Sequence, residues 1–323
     1  MVKIVRVYKF GKPGVMRYEE TALDKPSENE VLIRHTAIGL NFIDIYHRSG
    51  TYPLTLPSTL GMEASGVVEK IGKKVSKIKV GDRIAYASGP PGSYAEKRII
   101  QANKLVKLPK YINDKLAAAM MLKGMTAEYL LNRTYKAKKG EFILFYSAAG
   151  GVGKIACQWA NYIGCKVIGV VGSNNKVKEA RKNGCHYVIN SSKEDIVKKT
   201  MKITKNIGVS VVYDSVGKNT FEASVDCLKE RGMLVSFGQS SGVIPKKSLY
   251  IFSKKCLFFT RPSLMIYNST EKELSRSAAK LFKMIRSGKI KVKINKIFKL
   301  KNIIKAHHAL EKRKTIGSTV ILP

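Results

Sequence analysis

The stretch Phe145–Lys154, FYSAAGGVGK, joins a short apolar run to an amphipathic segment. The run EFILFY leads into it, and apolar residues recur at helical spacing from Val152 to Ile163. Gly164 then ends the predicted helix, and a second apolar run, KVIGVVG, follows. This order of strand, glycine turn, helix and strand is the context of a dinucleotide-binding fingerprint, so we expect nucleotide binding here and not merely a structural turn.

The glycine turn has the residues that a pyrophosphate site requires. Backbone N–H groups at the start of a helix lack partners within the helix, and the helix dipole favours an anion there. Aligned to the pattern G-x-G-x-x-G, the chain has Ala148, Gly150 and Gly153. We expect a branched side chain at Gly150 to fill the space of the pyrophosphate and to disfavour any positive φ that the turn requires.

The chain has 323 residues, which is long enough for two domains with their own cores. No apolar run approaches the roughly 20 residues that cross a bilayer. Charges interrupt the N-terminal MVKIVRVYKF, so this segment does not resemble a secretory signal and we expect a cytoplasmic protein. The five cysteines include no CxxC pair, which favours reduced thiols over a disulfide or zinc framework.

The formal net charge of +36 is unusually high. A basic chain of this kind could bind nucleic acid. Lysine, however, makes up most of the 59 basic residues and is spread along the whole length, whereas nucleic-acid sites favour clustered arginine and aromatic residues. A nucleic-acid partner therefore stays open as an alternative that the residue distribution does not favour.

The sequence has two parts with different hydrophobic patterns. From Val2 to about Pro109, short β-like runs separated by Gly, Pro, Asn and Ser predict a compact, barrel-like β domain. From about Ala118, helices alternate with apolar strands, and about six parallel strands predict a doubly wound α/β sheet. After KVIGVVG, the predicted elements are helices near 175–183, 192–203 and 219–229 and the strands HYVIN, VSVVYDSVG, GMLVSFG and CLFFTR.

The last segment adds a helix near 271–287, the run KIKVKINKIF, a helix near 301–312 and the terminal TVILP. Its β runs are too short and too few to stand alone, so we expect them to rejoin the N-terminal domain. The predicted domains are therefore 1–120, 121–263 and 264–323, the last returning to the first.

In an open α/β sheet, ligands bind at the carboxyl ends of the strands. Small and polar residues dominate those ends here, and we expect the cofactor to lie along them, facing the β domain. The predicted rim consists of 147–153, 172–176, 190–191, 215–216, 237–239 and Arg261.

The end of the second strand indicates which cofactor binds. A site that prefers NAD has Asp or Glu there, on the ribose 2′-hydroxyl. Residues 172–176 read GSNNK and contain no carboxylate, and Ser173 and Lys176 suit a 2′-phosphate. We predict NADPH, with the alternative that Lys176 is one more surface lysine.

With these motifs in place, the chain resembles the zinc-independent quinone oxidoreductases, the zeta-crystallin-like branch of the medium-chain dehydrogenase/reductase superfamily. The resemblance implies a GroES-like catalytic domain interrupted by a Rossmann domain, NADPH-dependent reduction of quinones without a metal, and a homodimer. It covers essentially the full length, and the matching stretches are AIGLNFIDIYHRSGTYP, LGMEASGVVEKIG, VGDRIAYA, AAGGVG, YDSVG, VSFGQSSG, TRPSL and IGSTVILP.

The resemblance implies that Asn41, Tyr46 and Tyr52 line the substrate pocket, although packing within a loop is an equal alternative for either tyrosine. Relatives place a tyrosine near the 2′-phosphate where this chain has Ser191, which weakens the preference for NADPH unless Lys193 compensates. The implied cofactor-binding residues are Asn41, Tyr46, Thr126, Ala149, Gly150, Gly151, Val152, Gly153, Gly172, Ser173, Lys176, Ser191, Ser215, Phe237, Gly238, Gln239, Ser240 and Arg261.

The resemblance also predicts no metal. Zinc-containing relatives have a Gly-His-Glu motif whose His binds the metal, and this chain has Gly61-Met62-Glu63. Asn41 stands where their cysteine ligand lies, and a thioether and an amide do not make a tetrahedral zinc site. The four-cysteine lobe expected after GDR is missing, and the histidines at 47, 307 and 308 are isolated, which is more typical of structural residues.

Several alternatives stay open. A related enzyme could reduce the activated C=C bond of an enal or enone, and a secondary RNA-binding role or a purely structural role is implied for parts of the same branch. The segment Gly238–Gly242 matches the hydrolase motif G-x-S-x-G, but that motif requires a helix directly after the serine. Pro245 and the lack of helical spacing argue against hydrolysis.

Overall fold

The fold comes from a computed structural model that describes residues 1–312 and 315–323. The chain divides into two compact units. The first comprises Met1–Met125, Asn268–Ala279 and Val292–Pro323, and the second comprises Thr126–Tyr267 and Lys280–Lys291. The domain bounds derived from the sequence stay a prediction.

The described residues form sixteen strands and nine α-helices. None of these helices combines the length and the apolar character that crossing a bilayer requires. The strands are β1 (Val2–Val7), β2 (Met16–Thr21), β3 (Glu30–Leu40), β4 (Ser58–Thr59), β5 (Glu63–Ile71), β6 (Arg83–Ala87), β7 (Lys97–Gln101), β8 (Val106–Lys107), β9 (Phe142–Tyr146), β10 (Lys166–Val171), β11 (Tyr187–Asn190), β12 (Val209–Asp214), β13 (Leu228–Ser236), β14 (Phe258–Thr260), β15 (Ile294–Lys299) and β16 (Ser318–Leu322). The helices are α1 (Phe42–Ser49), α2 (Asp114–Tyr129), α3 (Gly151–Ile163), α4 (Asn174–Lys182), α5 (Ile196–Ile203), α6 (Phe221–Asp226), α7 (Leu264–Tyr267), α8 (Glu271–Arg286) and α9 (Ile303–Glu311).

The first unit is built on β-sheets, as the sequence predicts. A three-stranded sheet has the order β2-β1-β4, and a seven-stranded sheet runs β15-β16-β3-β5-β6-β8, with β7 also paired to β3. Val31, Ile33 and Ile38 of β3 and Ile84 of β6 are buried in its core. The C-terminal strand β16 pairs antiparallel with β3 of the N-terminal region.

The second unit contains a six-stranded parallel sheet in the order β11-β10-β9-β12-β13-β14. Its central strands are continuous apolar runs, and Leu144, Ile168 and Val212 are fully buried. Such runs are typical of parallel strands that are covered on both faces. The predicted α/β class, with a doubly wound parallel sheet of about six strands, is confirmed.

Some elements differ from the prediction. Strand β2 and helix α1 were not predicted; α1 is only eight residues long, and β-branched and aromatic side chains weaken its helical signal. Helix α5 begins at Ile196, four residues later than predicted, because the Asp195 side chain accepts a hydrogen bond from the Lys198 N–H and caps the helix there.

The turn before α3 brings the backbone of the helix unusually close to the backbone at the end of β9. A Cβ atom at Gly153 would lie 2.3 Å from the Ser147 carbonyl oxygen and 2.8 Å from the Ala148 Cα. Gly150 has a φ of −78°, so the turn requires no positive φ at this glycine. Ser147 takes the left-handed conformation instead, with a φ of 53°. Gly164 ends α3 at a φ of 95°, as predicted.

We expect Gly153→Ala to lower the free energy of unfolding by about 1–3 kcal/mol, the usual cost of forcing extra atoms into a packed site. The reason is that the added methyl group meets backbone atoms, which cannot move aside cheaply. Gly14→Ala is the control, because a Cβ atom at Gly14 has no neighbour within 4 Å. Chemical denaturation measures both, and equal stability of the two variants would contradict the close approach.

Candidate active site

The loop between β9 and α3 is fixed by its own backbone. The Ala148 N–H donates to the Val170 carbonyl at 3.1 Å, and the Gly150 N–H donates to the Ser147 carbonyl at 2.7 Å. Gly169 of β10 makes room for the loop, because a Cβ atom there would lie 2.8 Å from the Ala148 Cβ. The sequence-predicted residues Ala149 to Gly153 therefore stand on a rigid turn at the carboxyl edge of the sheet.

The start of α3 has the chemistry of an anion site. Gly150 is its N-cap and brings no side chain, and within the described chain the first turn has no side-chain cap and no acidic residue. The first N–H groups of a helix have no acceptor inside the helix, and they carry the positive end of its dipole. A Cβ atom at Gly150 would come within 3.0 Å of the Ser147 carbonyl, a tight but not prohibitive contact. The residues present therefore fit a dinucleotide pyrophosphate.

The end of β10 groups several of the predicted residues. Ser173 is the N-cap of α4, and its carbonyl accepts a hydrogen bond from the Lys176 N–H at 3.1 Å. The Ser191 N–H donates to the Val171 carbonyl at 2.9 Å, which holds the end of β11 beside the end of β10. A Cβ atom at Gly172 would meet no atom within 4 Å, so the backbone there is open to a ligand.

The sequence did not reveal how this edge is tied together. Asn190 is buried, and its side-chain amide donates to Asn174 Oδ1 at 2.7 Å. The nearby carboxylate of Glu194 accepts a hydrogen bond from the Asn190 N–H at 2.9 Å and pairs with Lys199 at 2.8 Å. The pKa of Glu194 is lowered, with the Lys199 hydrogen bond as the largest cause. Both contacts of the Glu194 carboxylate named here are thus to other groups of the protein, the Asn190 N–H and the Lys199 ammonium.

The ends of β9, β12 and β13 also meet. Ser215 Oγ donates to Ser147 Oγ at 3.1 Å, and the Ser240 N–H donates to the Ser215 carbonyl at 3.2 Å. Gly238 allows this approach, because a Cβ atom there would lie 2.8 Å from the Ser215 carbonyl oxygen. Three strand ends therefore form one polar edge.

Two further predicted residues connect to this edge. Phe237 packs against Phe145 of β9 with ring centroids 5.6 Å apart. Arg261, just after β14, donates through Nη2 to Gln239 Oε1 at 2.5 Å. Thr126 is buried on α2. All predicted residues from Thr126 to Arg261 thus lie in the second unit.

Asp214, which sequence reasoning missed, holds the loop after β12. Its Oδ1 accepts from the Val216 and Gly217 N–H groups at 2.7 and 3.1 Å. Its Oδ2 accepts from the Thr220 and Ser224 hydroxyls at 2.8 and 3.0 Å. Burial raises the pKa of Asp214, while these donors oppose that rise. An aspartate directly after the apolar run VSVVY was the available signal.

The hydrolase motif does not form a nucleophile elbow. Ser240 and Ser241 lie in a turn, and the next helical segment is the 3-10 helix Leu249–Lys255. Ser241 Oγ donates to the Val216 carbonyl at 2.8 Å and accepts from the Asn219 N–H at 3.0 Å, so it fastens two loops to each other. The segment Gly238–Gly242 therefore connects loops at the carboxyl edge of the parallel sheet.

In the first unit, Asn41 is the N-cap of α1 and is fixed at two points. Its backbone N–H donates to Asp44 Oδ2 at 2.9 Å, and its side-chain Nδ2 donates to Glu63 Oε2 at 2.8 Å. Tyr46 and Tyr52 lie together, with ring centroids 4.9 Å apart and a 3.1 Å hydrogen bond from the Tyr52 N–H to the Tyr46 carbonyl. The structure thus brings the two predicted tyrosines together, and it places Asn41 at the start of α1, the helix that carries Tyr46.

The partners of Glu63 could not be predicted from the sequence, where this residue stands out only as the last of the triplet Gly61-Met62-Glu63. Glu63 is fully buried, and its Oε1 accepts from the Leu122 N–H at 2.7 Å. Its Oε2 also pairs with Lys123 Nζ at 3.2 Å. A Cβ atom at Gly39 would lie 2.1 Å from Glu63 Oε2, so the glycine of β3 is what makes room for this carboxylate.

A second buried network supports α1. Tyr94 Oη donates to Asp44 Oδ2 at 2.8 Å and lies 3.1 Å from His307 Nε2. Arg48 Nη1 lies 2.9 Å from His307 Nδ1, and Arg48 also pairs with Glu311. A guanidinium can only donate, so His307 Nδ1 accepts and its Nε2–H donates to Tyr94.

The pKa shifts in this network agree with that assignment of protons. Burial and, to a lesser extent, the neighbouring Arg48 charge lower the pKa of His307 to about 3. His307 is therefore neutral at pH 7. Burial raises the pKa of Asp44 to about 7, against the opposing hydrogen bonds from Asn41 and Tyr94.

The side chains around Asn41 and Met62 do not have the donor atoms of a zinc site. Within 1–312 and 315–323, no group of three or more His, Cys, Asp or Glu side chains is arranged to hold a metal ion. The Asn41 amide turns its Nδ2 to Glu63, and Met62 is buried. A donor set of this kind does not suit zinc.

Two families of known proteins match the two kinds of sheet. Residues 27–110 match the alcohol dehydrogenase GroES-like domain, and residues 151–282 match the zinc-binding dehydrogenase family. The first match falls on strands of the seven-stranded sheet, and the second covers α3 and most of the parallel sheet. The GroES-like part of the predicted fold class is thereby confirmed.

The chain is also similar to individual proteins along its full length. It is 46% identical over 325 residues to a quinone oxidoreductase of Pseudomonas aeruginosa, and 40% identical over 331 residues to a 2-haloacrylate reductase of a Burkholderia species. These alignments cover 100% of this chain and 100% and 99% of the relatives. A solved structure of the Escherichia coli quinone oxidoreductase complexed with NADPH has a TM-score of 0.98 at 46% identity, and the match covers 99% of this chain and 100% of that one. The chain belongs to the quinone oxidoreductase family of the medium-chain dehydrogenase/reductase superfamily.

Proposed function

We propose that this protein is an NADPH-dependent oxidoreductase that reduces quinones without a metal. The observation that carries the proposal is the start of α3, where Gly150 leaves the first turn uncapped by any described side chain at the carboxyl edge of a parallel sheet. Similarity over the full chain to quinone oxidoreductases, one of them solved with NADPH, supports the same activity.

The residues of the second unit would hold the cofactor in three groups. The turn Ala149–Gly153 would bind the pyrophosphate through backbone N–H groups. Ser173 and Lys176, with Ser191 beside them, would bind the 2′-phosphate through hydroxyl and ammonium groups. Other predicted residues of the second unit would bind the nicotinamide half; they are Thr126, Ser215, Phe237, Gly238, Gln239, Ser240 and Arg261.

When bound, NADPH supplies a hydride, and the quinone takes up that hydride and one proton to become the hydroquinone. Quinones are good electron acceptors, so the protein must mainly provide position and exclude water. We propose that Asn41, Tyr46 and Tyr52 do this in the first unit. The rings of Tyr46 and Tyr52 pack together with their planes tilted by 51°, and we propose that they form an aromatic wall beside the quinone ring.

We propose that no zinc takes part. Asn41 and Met62 stand at the positions of metal ligands in zinc-containing relatives, and Asn41 Nδ2 donates to Glu63 instead of offering a lone pair. An amide N–H cannot ligate a cation.

We propose a cytoplasmic location. The four buried free thiols at Cys157, Cys165, Cys185 and Cys227 support a reducing compartment, and cell fractionation can test this location.

We also propose the domain organisation that the sequence predicts, a catalytic domain at 1–120 and 264–323 interrupted by an NADPH-binding domain at 121–263. The division of the chain into two compact units supports this organisation. Limited proteolysis, with mapping of the first cleavage sites, tests it: cuts concentrated inside the parallel sheet would contradict these bounds.

One alternative has an observation in its favour. The 40% identity to a 2-haloacrylate reductase fits the reduction of an activated C=C bond. NADPH oxidation measured across a panel of quinones and alkenals separates the two activities. A higher kcat/KM for quinones than for alkenals supports the main proposal, and activity confined to alkenals would favour the alternative.

We expect the same rates of NADPH oxidation after exhaustive chelation, because the proposed reaction needs no metal. A loss of activity that only zinc reverses would contradict the metal-free proposal.

We expect NADPH to bind at least about tenfold more tightly than NADH. The end of β10 offers Ser173 and Lys176 where an NAD site would have a carboxylate. Lys176→Ala should weaken NADPH binding by about 1.5–3 kcal/mol, the usual value of a hydrogen bond to a charged group, and leave NADH unchanged. Lys178→Ala, on the exposed side of the same helix, is the control. Fluorescence titration measures all six affinities, those of the wild type and the two variants for NADPH and for NADH. Equal affinities of the wild type for the two cofactors would contradict the prediction.

We expect Gly150→Val to abolish NADPH binding while the melting temperature stays near that of the wild type. The side chain would occupy the space in front of the first N–H groups of α3, whereas its Cβ meets only the Ser147 carbonyl, at 3.0 Å. Gly153→Ala is the matched contrast, because its Cβ would lie 2.3 Å from that same oxygen and should lower stability instead. Normal NADPH affinity in Gly150→Val would show that the turn does not bind phosphate.

We further propose a homodimer formed through the edge of the parallel sheet. Strand β14 lies at that edge, and Phe258 is 57% exposed. Leu249 and Tyr250, in the 3-10 helix just before it, are 81% and 70% exposed. An exposed edge strand with large apolar neighbours is typical of a surface that a second copy covers.

We expect Phe258→Asp to shift the protein towards the monomer, because a carboxylate at the centre of the interface would be desolvated without a partner. Ile207→Asp is the control, since Ile207 is comparably exposed, at 66%, in the loop before β12. Sedimentation equilibrium gives the masses. A wild-type protein that is monomeric at micromolar concentration would contradict the proposal.

A further inference from the structure

We propose that Glu63 and Lys123 are positioning residues, which act through Asn41 by fixing the orientation of its side-chain amide in the active site. This inference rests on the proposed function, which places Asn41 in the pocket. It assigns a role to a buried ion pair that the cofactor chemistry does not otherwise use.

The geometry concentrates three donors on one carboxylate. Glu63 Oε2 accepts from Asn41 Nδ2 at 2.8 Å and from Lys123 Nζ at 3.2 Å, and Oε1 accepts from the Leu122 N–H at 2.7 Å. The side chains of Glu63 and Lys123 are 0% and 6% exposed. The cluster joins the end of β3, the start of β5 and the middle of α2.

The cluster determines which way the Asn41 amide faces. An ionised carboxylate only accepts hydrogen bonds, so the atom of Asn41 that faces Glu63 must be Nδ2. The carbonyl Oδ1 is then the amide atom left for the capping box, in which the Asn41 side chain accepts from the Asp44 N–H. The other half of the capping box is the hydrogen bond from the Asn41 N–H to Asp44 Oδ2. The amide is thus held by Glu63 at one end and by the first turn of α1 at the other.

Lys123 completes this arrangement around Glu63. Its ammonium group is a second donor to Oε2, at 3.2 Å, so Asn41 Nδ2 and Lys123 Nζ share one acceptor atom. An ammonium group has no acceptor of its own, so it competes only for the carboxylate and does not pair with the Asn41 amide N–H. Gly39 adds a second sign that the site is built for this carboxylate, because a Cβ atom there would overlap Glu63 Oε2 at 2.1 Å. The pair costs desolvation, so stability alone is a weak reason for it.

A double-mutant cycle tests the proposal. Glu63→Gln should lower kcat/KM for the quinone about 10- to 100-fold, the scale of loss from a reacting group misplaced by about 1 Å. It should also weaken NADPH binding in a titration that needs no turnover. In an Asn41→Ala background, the same Glu63→Gln change should alter both quantities by less than about twofold, because there is no amide left to orient.

Arg83→Met is the matched control. Arg83 forms a partly buried ion pair with Asp114 in the same unit, at 2.6 Å, and it does not contact Asn41. We expect this variant to lose stability and keep its kcat/KM. If Glu63→Gln does not fold, Lys123→Met replaces it in the same cycle.

Two kinds of result would contradict the proposal or the function on which it rests. Equal losses with and without the Asn41 side chain would show that Glu63 acts on structure only and would overturn the proposal, as would an unaffected Glu63→Gln or Asn41→Ala variant. A wild-type protein without NADPH:quinone activity would refute the proposed function itself, which is a different failure.

Discussion

The contact between the backbone of Gly153 and the carbonyl of Ser147 determines where α3 starts. Any side chain at Gly153 would push the helix off the end of β9, because its Cβ would lie 2.3 Å from that oxygen. With the helix this close, its first turn projects from the carboxyl edge of the parallel sheet. The positive end of the helix dipole and the polar strand ends then share one edge, so the anion site and the rim follow from one packing constraint.

Two buried carboxylates organise the rest of the predicted site. Asp214 is saturated by four donors from the loop after β12 and so fixes that loop in the second unit. Glu63 accepts from three donors and fixes Asn41 in the first unit. Each charge is buried only where its lone pairs are used, which is the condition under which a buried ion is tolerated.

The sequence predicted what depends on periodicity and local chemistry. Continuous apolar runs identified the six parallel strands, and glycine at a helix end identified the limits of α3. Within the turn before α3, the sequence did not show that Ser147, and not Gly150, takes the left-handed conformation. The sequence also did not show contacts between distant positions: the partners of Glu63 lie about 60 positions away on α2, which no local pattern encodes. The placement of Asn41, Tyr46 and Tyr52 came from family resemblance, because their α1 segment has only a weak helical signal.

The ion pair of Glu63 and Lys123 bears on the metal-free reaction proposed above. Lys123, on α2, places its ammonium group 3.2 Å from the buried Glu63 carboxylate. Asn41 Nδ2 donates to the same carboxylate, and in the proposed active site it is the Asn41 amide that lies at the substrate. An amide offers a directed hydrogen-bond acceptor and no Lewis acid. Such a site suits an acceptor that is already electron-poor, as quinones are, and is poorly suited to an unactivated carbonyl that needs polarisation by a cation.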